Sequence, residues 1–109
     1  MKDLTKIEEI LLIAIWRLED EAYGVKIRQH VSQFLGKEFT YGNLYSALHQ
    51  LTVKKYVEKA LGEPTPARRG RRKINYRVTP RGREALKSAQ EMNKKLWRGL
   101  SDLAFDRKE

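Results

Sequence analysis

The densest chemistry in this 109-residue chain lies between Pro64 and Gly82, in the stretch "PTPARRGRRKINYRVTPRG". Arg68, Arg69, Arg71, Arg72 and Lys73 place five cations around Gly70, and four of the five are arginine. Lysine would serve a merely solubilising run. A guanidinium is a planar fork that meets phosphate oxygens with two parallel hydrogen bonds, so arginine at this density points to phosphate recognition. Other chemistries are poorly served. The chain has no cysteine, and His30 and His49 stand apart from any second metal-type residue. No thiolate zinc site, nucleotide loop or catalytic triad can be spelled from it. Glu19-Asp20-Glu21 reads as a loop at a helix end rather than a pair of catalytic carboxylates. The expectation is a protein that is no enzyme and uses neither cofactor nor metal.

Charge placement sharpens this. The net charge is +9, yet residues 1–22 carry three cationic and six anionic side chains, while residues 63–83 carry eight and one. Such a local excess attracts polyanions, nucleic acid ahead of anionic membrane. The longest apolar run, Ile10 to Trp16, has seven residues and follows Glu8-Glu9. It is too short to span a membrane and has the wrong flank for a signal peptide, so a cytoplasmic protein with no membrane partner is expected. A hydrophobic content of 40% in a chain of this length fits one domain with a modest core.

The elements that must carry the basic segment follow from periodicity and caps. Thr5-x-x-Glu8 is a capping box, so a helix begins near Thr5 or Lys6. Its apolar residues wrap nearly all round, Trp16 included, which asks for burial on two sides; the second side falls to a partner subunit. A second helix runs from Tyr23 or Gly24 to Leu35 and stops at Gly36. Thr40 caps a third, with Leu44, Ala47, Leu48 and Leu51 inward and Gly42, Asn43, Ser46, His49 and Gln50 outward. Tyr56 to Leu61 reads as a short strand, and Ile74, Tyr76 and Val78 alternate with polar residues in a second. Thr79-Pro80 starts a last helix that reaches about Leu103. Its stripe of Ala85, Ala89, Met92, Leu96, Gly99 and Leu103, widened by Leu86, Trp97 and Leu100, has coiled-coil spacing. The fold class is mainly α with a small β-hairpin: a winged helix-turn-helix over residues 1–79, and a long C-terminal dimerisation helix over 80–109, together one compact unit. On a winged helix the arginines occupy the hairpin tip, which can follow a phosphate backbone or enter a minor groove.

The segments "AYGVKI", "TYGNLYSALHQL" and "GRRKINYRVTPRGREAL" resemble the PadR-like transcriptional regulators. That family shows Tyr-Gly early in the second helix, a Leu-Tyr-Pro-Ala-Leu recognition helix, and a wing ending in Thr-x-x-Gly. These fall here on Tyr23-Gly24, Leu44 to Leu48, and Gly70 through Thr79 to Gly82. The resemblance implies a homodimer, palindromic operator DNA, and repression relieved by a small molecule. Ser46 stands where proline is common, and Lys55 where the family often has glycine. If position 55 still needs a positive φ, lysine there costs on the order of 1 kcal/mol.

The DNA-contacting residues are expected to be Arg68, Arg69, Arg71, Arg72 and Lys73 on the wing, with Thr40, Tyr41, Gly42, Asn43, Tyr45 and Ser46 opening the recognition helix. Tyr45 either contacts phosphate or packs under the wing. Ala85, Ala89, Met92, Leu96, Leu100 and Leu103 are assigned to dimerisation. Aromatic residues on the first and last helices of some PadR-like proteins line a dimer-interface pocket for planar ligands. The resemblance therefore offers Trp16 and Trp97 two readings: an effector pocket for a small planar aromatic molecule, or ordinary core or interface packing. Two other readings stand beside the repressor: an effector-free winged-helix DNA-binding protein, and a winged-helix protein-interaction module.

Overall fold

The computed structural model describes residues 4–64 and 72–100, with only the backbone at 62–64, 72 and 73. In chain order these form α1 (Lys6–Leu18), a 3₁₀ turn (Glu19–Glu21), α2 (Gly24–Leu35), α3 (Tyr41–Val53), β1 (Val57–Pro64), β2 (Arg72–Val78) and α4 (Pro80–Trp97). The Thr5 hydroxyl accepts from the Glu8 amide at 3.1 Å, and the Thr5 amide donates to Glu8 Oε1 at 2.9 Å, so the capping box forms. Helix α2 stops at Gly36, whose φ of 70° is left-handed. The core joins Leu11, Leu12 and Ile15 of α1 to Ile27 and Val31 of α2 and to Leu44, Leu48 and Leu51 of α3. Each of these large aliphatic side chains contributes about 1.5–3 kcal/mol by burial.

Strands β1 and β2 pair antiparallel from Val57↔Val78 to Leu61↔Ile74, then shift register to reach Pro64↔Arg72. The hairpin is longer than the expected Tyr56 to Leu61, because pairing resumes beyond an irregularity, where proline is tolerated. Tyr56 itself is a buried turn residue. The hairpin is tied back to the helices where the Tyr76 amide donates to the Ala22 carbonyl at 2.8 Å.

The start of α4 explains the Thr-x-x-Gly pattern. The Thr79 hydroxyl accepts from the Gly82 amide at 3.0 Å and donates to the Lys55 carbonyl at 2.6 Å. A Cβ on Gly82 would run into the Tyr56 carbonyl oxygen, so the backbones meet there only because residue 82 has no side chain. Lys55 has a φ of 64°, so the turn after α3 keeps the left-handed geometry that favours glycine.

Helix α4 ends at Trp97, earlier than the expected Leu103. Arg98 leaves the helix with ψ 130°, and Gly99 takes a φ of 78°. Gly99, read in sequence as one more step of the apolar stripe, is the helix stop. Leu100 follows that turn, and Leu103 lies outside the described residues.

Candidate nucleic-acid interface

The recognition helix is built from its cap inward. Thr40 is extended, and its hydroxyl accepts from the Asn43 amide at 3.1 Å, which fixes the first turn of α3. Leu44, Leu48 and Leu51 anchor the inner face, while Tyr41, Gly42, Asn43, Tyr45 and Ser46 are exposed on the outer one. A Cβ on Gly42 would meet nothing within 4 Å, so packing within the chain does not require glycine there. Tyr41 and Tyr45 stack with ring centroids 6.2 Å apart and planes 16° from parallel. Tyr45 also reaches back to the start of α2. A Cβ on Gly24 would collide with its hydroxyl, so a side chain there would turn Tyr45 aside. Burial pushes the Tyr76 phenol above its ordinary range, and the neighbouring Tyr45 phenol adds to that rise.

The turn into α3 is fastened by α2. Phe39 is buried, its amide donates to Ser32 Oγ at 3.0 Å, and its carbonyl accepts from Arg28 Nη1 at 3.3 Å. The Arg28 guanidinium also lies over the Tyr41 ring, 4.4 Å from its centroid. At its other end α3 is held by Lys54, whose ammonium pairs with the buried Glu8 carboxylate at 2.7 and 2.9 Å. Burial alone would raise the Glu8 pKa. Hydrogen bonds from Lys54 and the Thr5 amide outweigh it and hold the carboxyl below its ordinary value. Arg28, Ser32 and Lys54 escaped the sequence reading because their partners lie across turns or on other helices. The capping box exposed only the local half of what Glu8 does.

On the hairpin, Val57 and Tyr76 are buried near the base, Arg77 between them is exposed on the other face, and Leu61 and Ile74 are exposed further out. Arg72 and Lys73 lie in β2, and Arg68, Arg69 and Arg71 lie outside the described residues. The described hairpin meets α3 through β1 and has Arg72, opposite Pro64, at the end away from the Val57↔Val78 pair.

Helix α4 packs on α1 as far along as Asn93. Gly82 and Ala85 are buried, Ala89 is partly buried, and the Asn93 amide donates to Glu9 Oε2 at 3.1 Å. By contrast, Met92, Leu96, Trp97 and Leu100 are all at least half exposed, Leu96 at 63%. Trp16 lines a groove of about 330 Å³ with Ile15, Glu19, Asp20, Tyr76, Arg77 and Val78, and Arg83 of α4 lies 5.3 Å from its ring centroid. Trp97 is about 21 Å further along α4 than Arg83, at 1.5 Å per residue. The two tryptophans do not meet within one chain.

A helix-turn-helix whose second helix is polar outside, followed by a hairpin and flanked by a supporting helix, defines a winged-helix nucleic-acid-binding domain. The chain belongs to the PadR-like family of transcriptional regulators, whose sequence model matches residues 11–88. It is a DNA-binding regulator and not an enzyme. A PadR family transcription regulator from Clostridium difficile R20291 is 30% identical, with 84% of this chain and 86% of that one covered and a TM-score of 0.57. RosR of H. salinarum is 25% identical over 93% of this chain and 84% of that one, with a TM-score of 0.67. A transcriptional regulator from Clostridium thermocellum shares the fold at 24% identity and a TM-score of 0.62, with 88% of this chain and 93% of that one covered. No curated protein matches the sequence. Among the described residues no helix is long and apolar enough to cross a membrane.

Proposed function

We propose that this chain is a cytoplasmic homodimeric repressor that binds a palindromic operator. Residues 1–79 form each DNA-binding head and residues 80–109 the dimerisation segment. The observation that carries the reading is the apolar surface left open on one chain: Ile13 and Trp16 on α1, with Met92, Leu96 and Trp97 on α4. A second copy would cover it and place two recognition helices about a two-fold axis. Thr40, Tyr41, Gly42, Asn43, Tyr45 and Ser46 then meet the major groove, while Arg68, Arg69, Arg71, Arg72 and Lys73 follow phosphates at its side. A planar aromatic effector that relieves repression would need Trp16 from one chain and Trp97 from the other, given their separation. One observation favours an effector-free DNA-binding protein instead: Arg83 already lies over the Trp16 ring.

Fluorescence anisotropy on labelled duplex tests the DNA half. A dimer neutralising roughly 6–10 phosphates should lose about 10³–10⁵ in affinity between 50 and 200 mM salt. Arg69→Ala, Arg71→Ala and Arg72→Ala together should flatten that dependence and weaken all duplexes alike. Affinity that barely changes with salt would remove the wing from the interface. Tryptophan quenching by planar aromatics, with loss of operator affinity, separates the effector reading from the effector-free one.

A further inference from the structure

We propose that Arg28 is the positioning residue of sequence readout, setting Tyr41 and the start of α3 without itself touching DNA. The proposal rests on the DNA-binding reading above and adds a residue on the helix that does not face the groove. Three contacts converge on the guanidinium. Nη1 donates to the Phe39 carbonyl at 3.3 Å, Cζ lies 4.4 Å from the Tyr41 centroid, and Glu38 Oε1 stands 4.0 Å from Nη1. With Ser32 Oγ accepting from the Phe39 amide at 3.0 Å, both backbone polar groups of Phe39 are held by α2 side chains. Phe39 is the last residue before the Thr40 cap. The place where the recognition helix begins is therefore set by α2 before any DNA arrives.

The stack continues past Tyr41. Its ring lies against Tyr45, and the Tyr45 hydroxyl lies where a Cβ of Gly24 would be. The row Arg28, Tyr41, Tyr45, Gly24 thus starts and ends on α2, with two half-exposed aromatic rings of α3 between. Arg28 is poorly placed to bind phosphate directly. Its side chain is 23% exposed, its Nε is buried without a hydrogen-bond partner, and its carboxylate neighbour Glu38 is at the outer limit of an ion pair. The contacts it does make need Nη1 at the Phe39 carbonyl while Cζ lies over the Tyr41 ring. Lysine supplies the charge as a single point, which cannot be in both places at once.

The test uses the full chain and a duplex that the wild-type protein selects from a randomised pool, with a scrambled duplex as reference. Arg28→Lys and Arg28→Met should each bind the selected duplex about 3- to 30-fold more weakly, the range expected for losing a partly desolvated cation–π contact. The scrambled duplex should change less than about twofold, and the salt dependence should stay as in wild type, because no phosphate contact is removed. In a Tyr41→Ala background the Arg28 substitutions should cost clearly less than in wild type, since only the Phe39 carbonyl bond is then left to lose. A salt dependence weakened by about one phosphate contact per chain would overturn the proposal in favour of direct contact. Equal losses on both duplexes, or losses additive with Tyr41→Ala, would reduce Arg28 to a stability residue and overturn it as well. If Arg28→Met does not fold, Arg28→Lys, which keeps the buried stem, carries the same comparison. Failure of the wild type to enrich any duplex would instead remove the DNA reading on which the proposal rests.

Discussion

Gly42 stands in the first exposed turn of α3 with open space where a side chain would begin. Inside a helix, glycine costs about 0.5–1 kcal/mol relative to alanine, so the chain alone would be better served by alanine. Close approach of a DNA strand is a reason for glycine that the isolated chain cannot supply. Gly42→Ala is therefore expected to raise the melting temperature while lowering operator affinity by at least about tenfold. Calorimetry and anisotropy on one preparation check both signs, and a variant that gains stability without losing affinity would free position 42 from the interface. Lys55 is the opposite case. Its φ of 64° is enforced by the turn, where the Lys55 amide donates to Thr52 O and its carbonyl accepts from Thr79. Lys55→Gly should stabilise the fold by about 1 kcal/mol, which is about 4–8 °C in Tm for a domain of this size. A calorimetric Tm at or below that of wild type would show that the strain is relieved elsewhere.

At the scale of elements, α1 is the strut that orients the recognition helix. Glu8 belongs to the capping box at its own helix start and also pairs with Lys54 at the C-terminal end of α3. Because its carboxyl titrates below the ordinary value of 4.5, the charged pair stabilises the fold fully above about pH 4.5. That contribution is lost as pH falls through the lower, folded-state pKa. Glu8→Gln should cost roughly 2 kcal/mol at neutral pH, less than the 3–5 of a fully buried pair because Lys54 is partly solvated. The gap between the two unfolding curves should close as pH falls below about 4.5, and a gap constant with pH would mean that shape rather than charge holds the contact. This strut also marks where sequence is readable. Caps and periodicities act within a few residues, so Thr5, Thr40, Thr79 and the inward leucines of α3 declare their elements by themselves. The Glu8–Lys54 pair spans two helices, and the Arg28–Phe39 staple crosses a turn; neither leaves a local pattern. Gly99 was legible in principle. It sat on an apolar spacing strong enough to hide a helix stop, and α4 ends at Trp97 for that reason.

Taken whole, the chain is too extended for its length. Its radius of gyration is 16.6 Å, against about 13 Å for a compact domain of this size, and its long axis measures 58 Å. The second half of α4 carries exposed Met92, Leu96 and Trp97, the last two beyond the Asn93 bond to α1, while Ile13 and Trp16 lie open on α1. Self-association across a two-fold axis would bury both sets and set the two winged heads about 34–36 Å apart, on successive major grooves of one duplex face. Met92→Asp with Leu96→Asp discriminates between this and a monomer. Both positions are exposed in the single chain, so the substitutions should leave the stability of the isolated chain within about 0.5 kcal/mol per site. At a subunit seam the same carboxylates would be buried without partners, each costing several kcal/mol, roughly 2–7 by transfer of an unpaired polar group. Sedimentation velocity should then find wild type as a dimer at micromolar concentration and the variant as a monomer with an unchanged circular dichroism spectrum. Operator affinity should fall by about 10² or more, because a single head reads half a site and the linked second binding event is lost. A variant that sediments as a monomer and still binds full operator with wild-type affinity would show that one head suffices, and the two-fold arrangement would have to be abandoned.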